Sequence, residues 1–170
     1  IGCGKPQKGD GSTNSRNGRT VIQNNGSDTL VNVAQAWAET YKDIDANVAI
    51  AVTGGGSGTG ISSMINGTVD IANSSRSMKA REIESAKANG VDPKENVVGY
   101  DALAVFVHKD NPMSEISIDQ LKAIYGEGGA PEKWSDLGIT IPGCPSDEIV
   151  RVSRQNNSGT YAYFKKAVLG

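Results

Sequence analysis

The sequence predicts an α/β fold, a mainly parallel sheet with helices on both faces, and three observations carry that expectation. β-like runs at 20–23, 48–52, 69–73, 102–108 and 148–153 alternate with helix-like runs at 29–42, 60–66, 79–88, 118–125 and 160–169. Clusters of Gly, Ser and Thr fall where a β-like run gives way to a helix-like one. Hydrophobic residues make up 37% of 170 residues, enough apolar material for one or two small cores.

The first β-like run ends in Gly26-Ser27-Asp28-Thr29, and Leu30, Val33, Ala34, Trp37 and Tyr41 then recur at the spacing of one amphipathic helix face. Ser27 or Asp28 is the expected N-cap, with Thr29 in the first turn. The second run leads into Thr53-Gly54-Gly55-Gly56-Ser57-Gly58-Thr59-Gly60, again followed by a helical pattern. Strand, glycine loop and helix let backbone approach an anion closely. A nucleoside triphosphate loop is excluded, because that motif needs a lysine after its last glycine and Gly60 precedes Ile61. The last junction is Arg154-Gln155-Asn156-Asn157-Ser158-Gly159-Thr160, ahead of Tyr161, Phe164, Lys165, Val168 and Leu169 at helical spacing. Arginine offers a planar fork of donors that fits a tetrahedral oxyanion, and Ser158 to Thr160 form a cap and first turn whose N–H groups lack helical partners. Each cluster alone reads as an ordinary cap, a flexible loop or a surface arginine. Three junctions of one kind, with an arginine beside the last, point to an oxyanion.

Other classes of function find little support. Seventeen Lys and Arg against nineteen Asp and Glu give a net charge of −2, and 5% aromatic content offers no basic and aromatic stripe for nucleic acid. No run of about 18 apolar residues is present to span a bilayer. The single histidine, His108, sits in a strand-end turn, and neither Ser57 nor Ser158 has a motif supplying a base. No His, Asp or Cys cluster suits a metal, so neither an enzyme nor a cofactor is expected.

Gly26 to Thr29, Gly56-Ser57-Gly58-Thr59-Gly60, Asp70-Ile71-Ala72-Asn73-Ser74-Ser75-Arg76 and Arg154 to Thr160, in this order and spacing, resemble the phosphate-binding proteins of bacterial ATP-binding-cassette phosphate importers. The segments 100–105, 119–126 and 133–138 are similar to that family too, and the likeness runs from about Val21 to Gly170. The resemblance implies a periplasmic-binding-protein fold, two α/β lobes with the oxyanion held in the cleft between them. It implies ligand-binding roles for Ser57, Arg154, Ser158, Gly159 and Thr160, and for the segment Ser27, Asp28 and Thr29. Ser75 stands where some members carry an aspartate that accepts the proton of hydrogen phosphate and so helps reject sulfate. Asp28 and Asp101 are the nearest alternative acceptors, while a helix cap and a hinge-region turn remain their simpler readings. Arg76 reads as a second anion contact or as the partner of an acidic side chain, the latter being preferred.

Ile1-Gly2-Cys3 looks like the end of a bacterial lipobox, with Cys3 as the lipidated residue and 1–19 as remnant and flexible tether. Cys144 is then expected as a free thiol, although a disulfide between the two cysteines is the alternative that sequence leaves open. The expected domains are a first lobe over 20–104 and part of a second over 105–170, the N-terminal portion of a longer protein. The implied function is an exported lipoprotein, held at the membrane through its lipid anchor only, that captures inorganic phosphate and delivers it to the membrane permease of the importer. The alternatives are a surface sensor or adhesion lipoprotein on the same fold, or a receptor for sulfate, molybdate or a phosphorylated metabolite.

Overall fold

A computed structural model describes residues 18–170. Cys3 and the expected tether up to residue 17 lie outside the described residues. The described chain separates into two compact units, residues 18–74 with 78–93, and residues 75–77 with 94–170. The sequence reading placed its boundary between residues 104 and 105.

In the first unit, strands β1 (Thr20–Gly26), β2 (Val48–Thr53) and β3 (Ile71–Asn73) alternate with helices α1 (Asp28–Tyr41), α2 (Ser57–Ile65) and α3 (Ala80–Ala88). β-branched residues fill the strands, Val21 and Ile22 in β1 and Val48, Ile50 and Val52 in β2, and such side chains fit a pleated surface covered by helices. All pairings are parallel, in the order β2-β1-β3, with Thr20 opposite Val48 on one side of β1 and Asn24 opposite Ile71 on the other. Asp70 starts the second ladder early. Its carboxylate accepts the Gln23 N–H at 2.8 Å, and its own N–H donates to the Gln23 carbonyl at 3.0 Å.

A sheet that adds β2 to one edge of β1 and β3 to the other reverses direction at β1, and in open parallel sheets ligands bind beyond the carboxyl ends of strands at such a point. β1 extends three residues past its expected end at Gln23, because Asn24 and Asn25 remain paired on both sides and Gly26 pairs with Asn73 of β3. Polar side chains hid this portion from an apolar pattern.

The core of the first unit is built from three alanines, Ala34, Ala38 and Ala86, around one large side chain, Ile61. This corrects the expected face of α1. Ala34 and Ala38 turn inward, whereas Val33, Trp37 and Tyr41 are exposed at 43%, 52% and 37%. Two alanines four residues apart let the helix lie close to the sheet, and the bulky residues of the apolar stripe are rotated to its outer side.

The second unit holds α4 (Ile118–Tyr125), a 3-10 turn over Trp134–Leu137, and α5 (Gly159–Phe164), which widens into a π turn over Lys165–Leu169. Ser117 and Gln120 form a capping box at the start of α4. The serine Oγ accepts the Gln120 N–H at 3.1 Å, and the Gln120 Oε1 accepts the Ser117 N–H at 2.8 Å. Leu121, Ile124 and Val168 are buried, and the rings of Tyr125 and Phe164 meet edge to face at 5.1 Å. The strands expected over 102–108 and 148–153 do not form. Among the described residues the only pairing in this region is one antiparallel bridge between Lys133 and Glu148, and Phe106, Val150 and Val152 are 89%, 80% and 80% exposed. Alternating apolar residues mark a wish for burial, but a strand exists only once a neighbour supplies the other half of its ladder.

Candidate functional site

Three strand-to-helix junctions of the first unit meet at the carboxyl end of its sheet, and backbone hydrogen bonds lock them together. Ser27 N–H donates to the Asn73 carbonyl at 2.8 Å, joining the start of α1 to the end of β3. Gly56 N–H donates to the Gly26 carbonyl at 3.0 Å, joining the start of α2 to the end of β1. Asp28 Oδ1 accepts the Gly55 N–H at 2.9 Å, so the first turn of α1 also grips the glycine loop. The loop is further fixed by the Thr59 hydroxyl, which donates to the Gly55 carbonyl at 2.7 Å.

Close approach explains Gly60. A Cβ on Gly60 would lie 2.6 Å from the Asn25 carbonyl oxygen and 2.7 Å from the Gly26 Cα. With hydrogen there instead, the first turn of α2 rests directly on the end of β1. Gly55 and Gly56 adopt φ of 121° and 90°, values that side-chain-bearing residues rarely reach, and this turns the chain from β2 into α2.

Helical bonding in α1 opens with the Leu30 N–H on the Ser27 carbonyl at 3.1 Å, so the N–H groups of Asp28 and Thr29 head that helix. In α2 it opens with Thr59 N–H on the Gly56 carbonyl at 3.1 Å, and Ser57 and Gly58 head the helix in the same way. Ser27 and Ser57 are buried beneath this end of the sheet, 2% and 1% exposed, while Asp28 and Thr29 reach solvent. Two helix starts with their positive dipole ends, a buried hydroxyl at each, and a glycine loop form an environment that favours negative charge. Ser27, Asp28, Thr29 and Ser57 are therefore brought together in one unit, as the sequence pattern expects of neighbouring junctions.

The remaining site candidates belong to the second unit. Ser158 caps α5, its Oγ accepting the Tyr161 N–H at 3.4 Å and its carbonyl accepting the Ala162 N–H at 3.1 Å, which leaves Gly159 and Thr160 heading that helix. Ser158 and Gly159 are buried. Arg154 and Thr160 line one cavity of about 360 Å³, with Tyr125, Tyr161 and Phe164 among its walls. An arginine and a helix-start threonine thus open on the same hollow. Ser75 is half-buried just after β3, where the neighbouring Arg76 guanidinium donates to the Ser77 carbonyl at 2.9 Å. Asp101 is exposed, and its Oδ1 accepts the Ala102 N–H at 2.8 Å.

Sequence reasoning missed the asparagines of the sheet's carboxyl end. Asn24 Oδ1, Asn25 Oδ1 and Asn73 Nδ2 are buried without a hydrogen-bond partner. The signal was available in a strand that ends in Gln-Asn-Asn, an unusual sequence for a central parallel strand. The contact between Asp28 and Gly55 carried no sequence signal, since the two residues lie 27 positions apart.

His108 is exposed beside Asp110, whose N–H it accepts on Nδ1 at 3.3 Å, in keeping with a surface turn residue. Cys144 is an exposed free thiol. Among the described residues no group of His, Cys, Asp and Glu is placed to hold a metal ion, and no helix is long and apolar enough to cross a membrane.

Comparison with known proteins places this geometry in context. The PBP superfamily domain matches residues 11–170. The phosphate-binding protein PstS of Pseudomonas aeruginosa is 38% identical over 152 residues, covering 85% of this chain and 46% of that protein. The protein SphX of Synechococcus elongatus is 33% identical, covering 89% of this chain and 44% of its own length. The chain therefore spans about half the length of the curated relatives it matches. Among solved structures, a substrate-binding protein with bound phosphate from Clostridium perfringens superposes with a TM-score of 0.70 at 32% identity, over 86% of this chain and 55% of the other. An ABC-type phosphate transport receptor from Vibrio cholerae gives 0.64 at 28% identity, over 85% and 54%.

Proposed function

The chain belongs to the PBP superfamily, and from that premise we propose that it is part of an extracytoplasmic receptor that captures inorganic phosphate for an ATP-binding-cassette importer. The observation that carries this reading is the locked set of junctions at the carboxyl end of β2-β1-β3, where two helix starts, a glycine loop and two buried serines converge. Relatives named for phosphate binding and phosphate transport favour phosphate among the oxyanions.

In this reading the first unit supplies Ser27 and Ser57 hydroxyls and the N–H groups heading α1 and α2. The second supplies the Arg154 guanidinium, the Ser158 and Thr160 hydroxyls and the N–H groups at the head of α5. These groups all donate to the anion's oxygens, and a preference for phosphate over sulfate requires in addition an acceptor for the phosphate proton. Donors fixed in advance favour an anion that satisfies all of them and penalise one that leaves any unpaired. Because phosphate leaves unchanged, the protein acts as a receptor and not as an enzyme, and its partner is the importer's membrane permease. Cys3 is the proposed attachment point for a lipid that keeps the receptor beside the membrane.

Ser75 favours a second reading, in which the ligand is another oxyanion such as sulfate or molybdate, since no carboxylate stands at that position to take a proton from phosphate. Calorimetric titration of the intact protein with phosphate, sulfate and molybdate at neutral pH separates these readings. Phosphate is expected to bind and sulfate to give no heat. Arg154→Ala is expected to weaken binding by about 10- to 100-fold, the usual value of a charge-assisted hydrogen bond being about 1.5–3 kcal/mol. Silence with every anion would overturn the receptor reading and favour a surface lipoprotein that uses the fold to meet a protein partner.

A further inference from the structure

We infer that Asp28 is a positioning residue of the anion site, holding the glycine loop through the Gly55 N–H, and is neither a ligand of the anion nor the acceptor of its proton. This deepens the receptor reading and rests on it.

The geometry starts from the loop's cost. Gly54-Gly55-Gly56 is the most flexible tripeptide the chain can offer, and left alone it samples many conformations. Gly55 and Gly56 are nevertheless held at φ of 121° and 90°. The bonds that hold them come from outside the loop. Gly56 N–H is tied to the Gly26 carbonyl at 3.0 Å, Gly55 carbonyl to the Thr59 hydroxyl at 2.7 Å, and Gly55 N–H to Asp28 Oδ1 at 2.9 Å. The first and second bonds secure the loop's end nearest α2. The Asp28 bond ties it to α1, and so sets the glycine loop against the other helix start.

Gly54 is shaped for the same contact. A Cβ there would lie 2.7 Å from Asp28 Oδ1 and 3.2 Å from Val31 Cγ2, so the loop can cross over the carboxylate only because residue 54 has no side chain. The carboxylate oxygen that faces the loop is committed to a backbone donor. A full negative charge in the first turn of α1 suits the helix dipole but works against a bound anion, so its place beside an anion site is better explained by the hydrogen bond it makes to the loop. What the loop needs is an acceptor oxygen at that point, and a carboxamide supplies one as well as a carboxylate does.

The inference is tested with Asp28→Asn and Asp28→Ala in the intact protein, titrated with inorganic phosphate, with Gly55 amide hydrogen exchange and melting temperature measured in parallel. Asp28→Ala is expected to weaken phosphate binding about tenfold, to speed Gly55 exchange and to lower the melting temperature by a few degrees, the bond lost being one charge-assisted hydrogen bond of the fold. Asp28→Asn is expected to restore binding and Gly55 exchange to within about threefold, the size of a small change in a single hydrogen bond. If Asp28→Asn loses phosphate as badly as Asp28→Ala while Gly55 stays protected, the carboxylate meets the ligand and the inference falls. It falls equally if Asp28→Ala binds like the unaltered protein. If the unaltered protein binds no phosphate, the receptor reading has failed, and Gly55 exchange in the two variants still decides whether Asp28 holds the loop.

Discussion

The residues gathered at the helix starts are mostly small or hydrogen-bond donors. Ser57 is buried at the head of α2, and alanine there removes a hydroxyl while keeping nearly the same volume. Ser57→Ala is therefore expected to keep the fold and cost phosphate affinity about 5- to 10-fold, the worth of one neutral hydrogen bond being about 1 kcal/mol. Isothermal titration of the variant checks it, and full affinity would remove Ser57 from the set of donors. Ser158 has a second duty as the N-cap of α5, so Ser158→Ala is expected to lower affinity and also to cost about 1 kcal/mol in stability by denaturant titration. A pure affinity loss there would mean that the cap contributes nothing. Residue chemistry of this kind was legible in the sequence wherever it was local: a serine, a glycine and a threonine in consecutive positions announce a helix start. Asp28 was visible only as a cap or as a loose acidic candidate, because its contact with Gly55 exists only after two strands have been brought side by side.

At the level of elements, the tight seat of α2 on β1 decides whether the site exists. Gly60→Ala would drive a methyl group into the Asn25 carbonyl and the Gly26 backbone, neither of which can move without breaking the ladders of β1. We expect it to destabilise the first unit by about 1–3 kcal/mol, the common cost of overpacking, and to reduce phosphate binding in whatever fraction still folds. Circular dichroism melts with parallel calorimetry measure both effects, and a variant of unaltered stability would show that α2 sits more loosely than its backbone contacts indicate. The sheet and the helix order were readable from alternation, and α4 begins and ends where its periodicity says. The inward face of α1 was not, since an apolar stripe with Trp37 and Tyr41 outweighs two alanines in any pattern count, whereas close packing favours the alanines. The strands expected over 102–108 and 148–153 failed for the opposite reason: their pattern is sound, and a pattern cannot report whether a neighbour is at hand.

For the whole molecule, the proposed ligand and the fold are linked through mass action. A phosphate concentration of about 100 times Kd adds about 2.7 kcal/mol to the unfolding free energy of the protein that holds it. A scanning melt should therefore rise with phosphate and stay flat with sodium chloride of equal ionic strength, and Arg154→Ala should blunt the rise; equal shifts with both salts would point to a general salt effect. The middle position of β1 has a consequence in time as well. β1 leaves the ribosome ahead of both strands that will flank it, and at roughly 5–20 residues per second its two edges wait for seconds before β2 and then β3 arrive. A nascent strand with two open edges invites pairing with other chains. Asn24 and Asn25 interrupt its apolar run in the part that waits for β3, so the polar residues that end the finished strand are also expected to make the newborn edge a poorer template for other chains.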